Sequence, residues 1–161
     1  MPTKARSREL LSKFLFTVND MSGGFGNLSK FQKASGLECT IAWTEYAEGG
    51  AIAPIKEPGR VTFGNVTLAR GVSEDEHFYD WCKECIDMLA HMPEGKGRLT
   101  LDLLRDLVVW QNDRTQKARI KWPMYSCGPA KWSPSDWDNM SDDIQIESLE
   151  MALWFFDRET Q

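Results

Sequence analysis

Two cysteines sit at Cys82-x-x-Cys85, a spacing that serves structural zinc sites and thiol redox centres. A structural zinc site needs four ligands, and the other cysteines, Cys39 and Cys127, are single and distant in sequence. A redox pair begins at the N-terminus of a helix, whereas both of these cysteines fall on the apolar side of a predicted helix. We therefore interpret the pair as core packing and predict no metal site and no cofactor.

The two histidines, His77 and His91, are fourteen positions apart on that helix, nearly four turns, so neither can relay a proton to the other. The sequence has no G-x-S-x-G nucleophile motif and no G-x-x-x-x-G-K-[ST] phosphate loop. The carboxylates of residues 136–150 lack the D-x-D-x-D-G spacing of a calcium loop. We predict no catalytic residue; an enzyme would need a concave site that recruits one of the histidines.

Basic residues alternate with apolar ones in residues 117–122. Lys117, Arg119 and Lys121 share one face of the predicted strand, which would meet water, nucleic acid or an acidic partner. Trp132 and Trp137 beside this face would suit a stacking platform. A monomeric β-barrel that binds oligonucleotides or carbohydrates is therefore an alternative interpretation.

The chain has seven tryptophans, more than a small core requires. Trp43, Trp81 and Trp122 fall on apolar phases of predicted elements, which indicates core positions. The other four are Trp110, Trp132, Trp137 and Trp154. Large aromatic side chains at a surface often mark contacts with other proteins.

Length and charge limit the possibilities. We expect one domain, residues 1–161, with residues 1–9 as a mobile arm. A formal charge of -5 argues against a generally basic nucleic-acid binder. Charge is uneven, however, because residues 1–33 are mainly basic and residues 132–157 carry seven carboxylates with no Lys or Arg. In copies stacked head to tail, the basic segment of one copy could attract the acidic segment of the next.

The N-terminus lacks a secretory h-region, and no apolar run approaches the ~18 residues of a membrane helix. The four cysteines are too few and too scattered for a disulfide scaffold. We therefore expect reduced thiols in a protein made in the cytoplasm.

Residues 36–72 predict two strands around a long loop. Apolar and small polar side chains alternate in residues 36–46, which predicts a strand with one buried face. In residues 60–72 the apolar parity changes at Gly64-Asn65, which predicts a bulge or tight turn that returns the apolar side chains to one face. The intervening loop, residues 48–59, is long enough to require a role of its own, in contact with another chain or as a mobile segment.

The period then changes to that of a helix. Ser73 can cap the helix together with Glu76. An apolar stripe then recurs at three- and four-residue intervals, at Phe78, Trp81, Cys82, Cys85, Ile86 and Leu89. We predict one helix over residues 73–92.

Further strands are predicted at residues 13–18, with Phe14, Phe16 and Val18 on one face, and at residues 99–103, 107–110 and 117–122. Residues 123–142 are expected to be irregular, and residues 143–156 to form a long final strand. The predicted fold class is mainly β, an antiparallel barrel or sandwich of six or seven strands with one flanking α-helix.

The order SGLE, EYAEGG and PGRVTFGNVTLARGV in residues 35–72 resembles the tail tube proteins of contractile bacteriophages and related contractile injection systems. Trp122-Pro123, Lys131-Trp132-Ser133-Pro134 and the IQIESLE run of residues 144–150 agree in order. The resemblance extends from about residue 14 to residue 150.

The resemblance implies a structural subunit, with six copies forming a ring and rings stacking into a hollow inner tube. It implies as partners further copies of the chain, a sheath protein, baseplate and terminator proteins, and DNA or effector protein in the lumen, with no membrane. It also implies synthesis in the bacterial cytoplasm and assembly into a virion tail or an injection particle.

In such a subunit the important residues are interfacial. We expect strands 117–122 and 143–156 to be sheet edges that neighbours complete. The predicted assembly interface comprises Glu48, Gly49, Gly50, Pro58, Gly59, Arg60, Arg70, Lys117, Arg119 and Lys121. The predicted sheath-facing helix surface comprises Glu74, Asp75, His77 and Asp80.

Two segments depart from the resemblance. Residues 151–156 are strongly apolar where the family has a small polar ending, and residues 124–129 look like an insertion. A specialised ring at the baseplate end is therefore an alternative to the main tube.

Overall fold

The computed structural model describes residues 10–23, 31–50, 52–72, 76–91 and 103–160. These residues form ten β-strands and one α-helix, in an arrangement that confirms the mainly β fold class. Three of the strands have only two or three residues, which leaves seven longer ones. In chain order the elements are β1 (Phe16–Asp20), β2 (Lys33–Ser35), β3 (Cys39–Tyr46), β4 (Ile55–Phe63), β5 (Val66–Gly71), α1 (His77–Ala90), β6 (Arg105–Asn112), β7 (Ala118–Pro134), β8 (Ile146–Ala152), β9 (Phe155–Phe156) and β10 (Glu159–Thr160).

Strand β7 is the centre of the main sheet, whose strand order is β1-β6-β7-β8-β5-β2. Its first part pairs with β6, ending where Cys127 lies opposite Arg105. Its second part pairs with β8, beginning where Gly128 lies opposite Ala152. Ser126, just before this exchange of partners, has a left-handed φ of 53°. One strand therefore belongs to both halves of the sheet.

Both halves and the helix contribute to one core. Val18 and Leu107 come from the β1-β6 half, Leu68 and Leu149 come from the β5-β8 half, and each is at most 1% exposed. Phe78, Trp81 and Cys85 bury the inner face of α1, as their spacing predicts. The indole Nε1 of Trp81 also donates to the carbonyl of Leu103 at 2.8 Å.

The helix is shorter than predicted in the part that the structure describes, because α1 begins at His77 and ends at Ala90. The predicted cap, Ser73, lies outside the described residues, and the side chain of Glu76 makes no capping hydrogen bond. Within the described ranges, no helix combines the length and the apolar character needed to cross a membrane.

The prediction that residues 117–122 and 143–156 form sheet edges is wrong. Residues 118–122 belong to β7, which has β6 on one side and β10 on the other at Ile120 and Lys121. Strand β8 lies between β7 and β5. Alternation of side chains reports which residues share a face, but it carries no information about how many neighbours a strand has.

The predicted ends of three strands are also corrected. Strand β7 continues through Pro123 and Pro129 to Pro134, so the irregular segment is only residues 135–145. The final strand is interrupted between Ala152 and Phe155. At the N-terminus β1 begins at Phe16, and Phe14 is 76% exposed and not on a buried face.

Other predictions lie partly outside the described residues. Of the strand predicted at residues 99–103, only Leu103 is described, and it belongs to the core. Strand β6 continues two residues beyond the strand predicted at residues 107–110, to Asn112, and a turn follows at residues 113–116. The irregularity predicted at Gly64-Asn65 separates β4 from β5, which lie in different sheets, so residues 60–72 belong to two strands and not to the one strand predicted.

Candidate assembly interface

The strands β3 and β4 form an antiparallel hairpin that makes a separate two-stranded sheet. Every residue of β3 is exposed, and so is every residue of β4 except Phe63. The alternating pattern of residues 39–46 does predict a strand, but the prediction that the subunit buries one of its faces is wrong. Trp43, predicted to be in the core, is 60% exposed.

One face of this hairpin is apolar. The cross-strand pairs on it are Cys39 with Phe63, Ile41 with Val61 and Trp43 with Pro58. Nearer the tip the same face carries the Lys56–Glu45 ion pair. The opposite face carries the polar pairs Thr40 with Thr62 and Thr44 with Glu57, followed at the tip by the apolar pair Tyr46 with Ile55. Ile41 and Val61 are 48% and 51% exposed. Contiguous exposed apolar surface of this kind marks contact with another protein, because water penalises it by roughly 25 cal/mol per Å². We call this surface the apolar hairpin face.

Pro58 and Gly59 lie inside β4, which corrects their assignment to a loop, and Arg60 follows them in the same strand. The register between the strands shifts between Ile41 and Trp43, so Ala42 faces two residues of β4. A Cβ on Gly59 would lie 3.2 Å from the carbonyl oxygen of Ala42, so glycine allows the strands to approach closely at this bulge.

The tip of the hairpin is shorter than the predicted loop, because β3 ends at Tyr46 and β4 begins at Ile55. It contains Glu48, Gly49 and Gly50, all exposed. Gly50 has a φ of 92°, a left-handed conformation that glycine adopts without strain.

Arg70 does not lie on the surface. It is 6% exposed and donates through Nε to Oε1 of Glu147, which is also 6% exposed. Its guanidinium carbon lies 4.4 Å from the centre of the Phe78 ring. We therefore place Arg70 in the interior of the subunit, where it connects β5, β8 and α1, and remove it from the interface.

The basic residues of β7 have partners within the subunit. Arg119 donates through Nε to Oδ2 of Asp113 at 2.9 Å, and Lys121 forms an ion pair with Glu159. Lys117 is exposed at the turn before the strand.

Asp113 organises this turn. The exposed Arg114 and Lys117 of the turn, together with Arg119 at the start of β7, are called the basic turn below. The Oδ1 of Asp113 accepts hydrogen bonds from the hydroxyl and the backbone N–H of Thr115 and from the N–H of Lys117. The Thr115 hydroxyl, the Lys117 N–H and the Arg119 guanidinium hold the pKa of Asp113 well below its usual range, although burial opposes them.

The segment between β7 and β8, residues 135–145, has the opposite charge. It contains Asp136, Asp138, Asp142 and Asp143 and no Lys or Arg. It also exposes Trp137, Met140 and Ile144 by 80%, 93% and 81% and lines an open depression of about 870 Å³. We call it the acidic loop. It follows one end of β7, and the basic turn precedes the other.

Two of the predicted sheath-facing residues, His77 and Asp80, are exposed in the first turn of α1. The other two, Glu74 and Asp75, lie outside the described residues. The helix also exposes Ile86 and Leu89, by 63% and 54%, which corrects their place in the predicted apolar stripe. Tyr79, which the sequence did not single out, is 46% exposed.

The Cys82-x-x-Cys85 pair lies on α1 against the core, with Cys85 buried. Burial, followed by the neighbouring Cys85, raises the pKa of Cys82 to about 11, and burial raises the pKa of Cys127 to about 12. Among the described residues, no three His, Cys, Asp or Glu side chains form a group that could hold a metal ion.

The proposed stacking platform is not assembled, so the structure corrects that interpretation. Trp132 packs against the core, donates through Nε1 to Oε2 of Glu147 at 3.1 Å and meets the ring of Tyr79. Trp137 lies on the acidic loop. Arg119 and Lys121 lie near the other end of β7.

A comparison with family models tests the resemblance seen in the sequence. The model for the T4-like virus tail tube protein gp19 matches residues 12–155. The chain belongs to this tail tube family. The resemblance seen in the sequence is therefore confirmed, and the chain is a structural inner-tube subunit of a contractile tail or injection system.

Solved structures show the same fold. The tail tube subunit is similar to the anti-feeding prophage cap, a tube-terminating cap, with a TM-score of 0.76 and 17% identity over 96% of this chain and 93% of the other. It is similar to a chain of the PVC sheath-tube complex in the extended state, with a TM-score of 0.72 and 17% identity over 96% and 95%. For Hcp1 of Flavobacterium johnsoniae the TM-score is 0.55, with 10% identity over 92% and 97%. No curated protein sequence matched the chain.

Proposed function

We propose that this tail tube subunit forms homo-hexameric rings that stack into a hollow tube, and that the apolar hairpin face is its principal contact with other copies. The main support for this proposal is the exposure of Ile41, Trp43 and Val61 on one face of a hairpin that pairs with no other strand of the described residues. A projecting two-stranded ribbon is only marginally stable in water by itself. A neighbouring copy that covers this face would stabilise it.

Sheet edges provide the lateral contacts in this proposal. Within the described residues, β1 and β2 end the strand order of the main sheet, and each has an outer edge with no strand partner. Unpaired edges invite pairing with other chains, and a closed ring removes them. The strands completed by neighbours are therefore β1 and β2, in place of the strands that the sequence indicated.

Charge supports a head-to-tail arrangement. The acidic loop and the basic turn lie at opposite ends of the longest strand, β7, which has 17 residues. When copies stack in the same direction, the acidic loop of one copy approaches the basic turn of the next. Each exposed ion pair contributes only ~0.2–1 kcal/mol, but a ring repeats the contact in every subunit.

The remaining parts of the proposal concern partners and location. The exposed start of α1, with His77, Asp80 and Tyr79, faces the sheath, and baseplate and terminator proteins meet the two ends of the tube. The subunit is made in the bacterial cytoplasm and has no enzymatic activity. The lumen passes DNA in a phage tail or effector protein in an injection particle.

A specialised ring at the baseplate end is the second candidate. It is favoured by the apolar C-terminal segment, in which Trp154 and Phe155 are 61% and 46% exposed. Such surface suits a second, different protein that caps or continues the ring.

Sedimentation velocity and electron microscopy of the purified chain over a range of concentrations test the proposal. We expect annular particles of about six subunits that lengthen into tubes as concentration rises. A single compact copy at every concentration would overturn it. Rings that never stack would favour the specialised ring.

A further inference from the structure

The hairpin has a narrow attachment to the rest of the subunit. Gly36 and Gly64 lie just outside its two strands, and the N–H of Gly64 donates to the carbonyl of Glu38 at 3.0 Å. A Cβ on Gly36, whose φ is 91°, would lie 2.2 Å from the carbonyl oxygen of Asn65. The two chain segments therefore cross in close backbone contact. This neck fixes the spacing of the strands, but a two-stranded ribbon can still tilt about such a neck.

One aromatic contact opposes tilting. Phe63, the last residue of β4, is the only half-buried residue of that strand. Its ring meets the ring of Phe156 edge to face, with the ring centres 5.5 Å apart and the planes at 77°. Phe63 shares the apolar hairpin face with Ile41 and Val61 through the strand register. Phe156 therefore supports the base of the same face that assembly is proposed to use.

The segment that carries Phe156 is held firmly on the central strand. Phe156 pairs with Met124 in the ladder between β9 and β7, and Glu159 pairs with Lys121 in the ladder between β10 and β7. Between them the N–H of Asp157 donates to the carbonyl of Pro123 at 3.0 Å.

Side chains reinforce this attachment. Arg158 lies over the ring of Trp122 at 5.4 Å, and Phe155 stacks on Tyr125 with ring centres 4.6 Å apart. Residues 154–160 thus form a strip that is bonded along its length to β7. The match between the chain and the family model ends at residue 155, one position before Phe156.

We propose that residues 154–160 act as a brace that sets the angle at which the β3-β4 hairpin leaves the domain, with Phe156 as the positioning residue. The inference rests on the proposed function, because the angle matters only if the hairpin docks on another copy. A hairpin held at one angle loses less conformational entropy on docking, which strengthens assembly without adding a contact to the partner.

The test measures the hairpin angle and assembly separately. Spin labels at Thr44→Cys on the hairpin and Lys131→Cys on β7, in a Cys39→Ser background, report the distance distribution at a concentration below that of assembly. Phe156→Ala is expected to broaden this distribution about twofold. It should also raise the concentration needed for tubes by about tenfold, because docking must then order a segment that is mobile in the free subunit. Phe156→Leu, which keeps an apolar contact, is expected to restore most of both properties.

Two controls separate positioning from general destabilisation. Trp154→Ala truncates an aromatic side chain of the same strip that is 61% exposed, and should leave the distance distribution unchanged. Phe63→Ala removes the same contact from the hairpin side and keeps the subunit testable if Phe156→Ala does not fold. An unchanged distribution in Phe63→Ala, or equal broadening in Trp154→Ala, would overturn the brace. If the unsubstituted chain never assembles, the proposed function fails, while the distance distribution still decides the brace.

Discussion

Arg70 and Glu147 form an ion pair inside the subunit, where their side chains are only 8% and 7% exposed. The pair joins the neighbouring strands β5 and β8, and Arg70 also lies against Phe78 on α1. An isolated buried charge is far more costly than a pair, because neither water nor a counter-ion then compensates it. The pair therefore fixes how the helix sits on the sheet.

This relationship predicts an asymmetry between single and double substitutions. Arg70→Met leaves the Glu147 carboxylate buried without its cation and should lower the free energy of unfolding by about 3–5 kcal/mol. The double variant Arg70→Met/Glu147→Leu should lose less than the single variant, because no charge remains in the interior. Urea denaturation of both variants measures this. Equal losses would show that the pair does not control the stability of this region.

The basic turn predicts a pH dependence of stability. The hydrogen bonds to Asp113 lower its pKa in the folded state relative to the unfolded chain, where it is about 4. The stabilisation is therefore complete above about pH 4 and is lost as pH falls towards the lower folded-state pKa. Asp113→Asn should be less stable than the unsubstituted chain at pH 7, and the difference should shrink below pH 4. A difference that stays constant between pH 7 and pH 3 would contradict the role of the carboxylate.

The thiols should differ sharply in reactivity. Cys82 and Cys127 have raised pKa values and Cys85 is buried, whereas Cys39 is exposed on the hairpin. Iodoacetamide at pH 8 should therefore modify Cys39 first in the folded subunit and all four cysteines after denaturation, as mass spectrometry of peptides would show. Assembly should protect Cys39, because it shares the apolar hairpin face. Rapid modification of Cys82 in the folded chain would rule out the core interpretation of the cysteine pair.

Stacking by charge can be tested by exchange. Asp142→Lys/Asp143→Lys should shorten the tubes seen by electron microscopy, since the acidic loop would then repel the basic turn of the next copy. Adding Arg114→Glu/Lys117→Glu to the same chain reverses both partners and should restore tube length, more so at low salt. If the fourfold variant is as defective as the double variant, these two surfaces do not meet.

Sequence patterns predict the helix and most strands because their periods survive in the folded subunit. Phe78, Trp81 and Cys85 follow the helical period and are buried. The predicted strand at residues 117–122 is too short because it stops before Pro123. Proline, here Pro123 and Pro129, lacks a ladder N–H and usually ends a central strand. In β7 the register is irregular just after Pro129, and the carbonyl of Pro123 accepts from Asp157, which accommodates both residues.

The candidate interface was less predictable. Alternation in β3 identifies Ile41 and Trp43 as one face, but the same pattern suits a face covered by the subunit or by another copy. The burial of Arg70 depends on Glu147, which is 77 positions away, and no local signal announces that contact. The family resemblance supplied the assembly role, and the exposed apolar hairpin face is the surface that we propose for it.

The most direct test of the central claim is electron microscopy, with sedimentation velocity, of Trp43→Lys beside its neighbour Thr44→Lys. Both substitutions add one cation to the same exposed strand, but Trp43 lies on the apolar hairpin face and Thr44 lies opposite Glu57 on the polar face. We expect Trp43→Lys to remain folded and to form no tubes, and Thr44→Lys to assemble as the unsubstituted chain does. Normal tubes from Trp43→Lys would contradict the assignment of the hairpin to assembly.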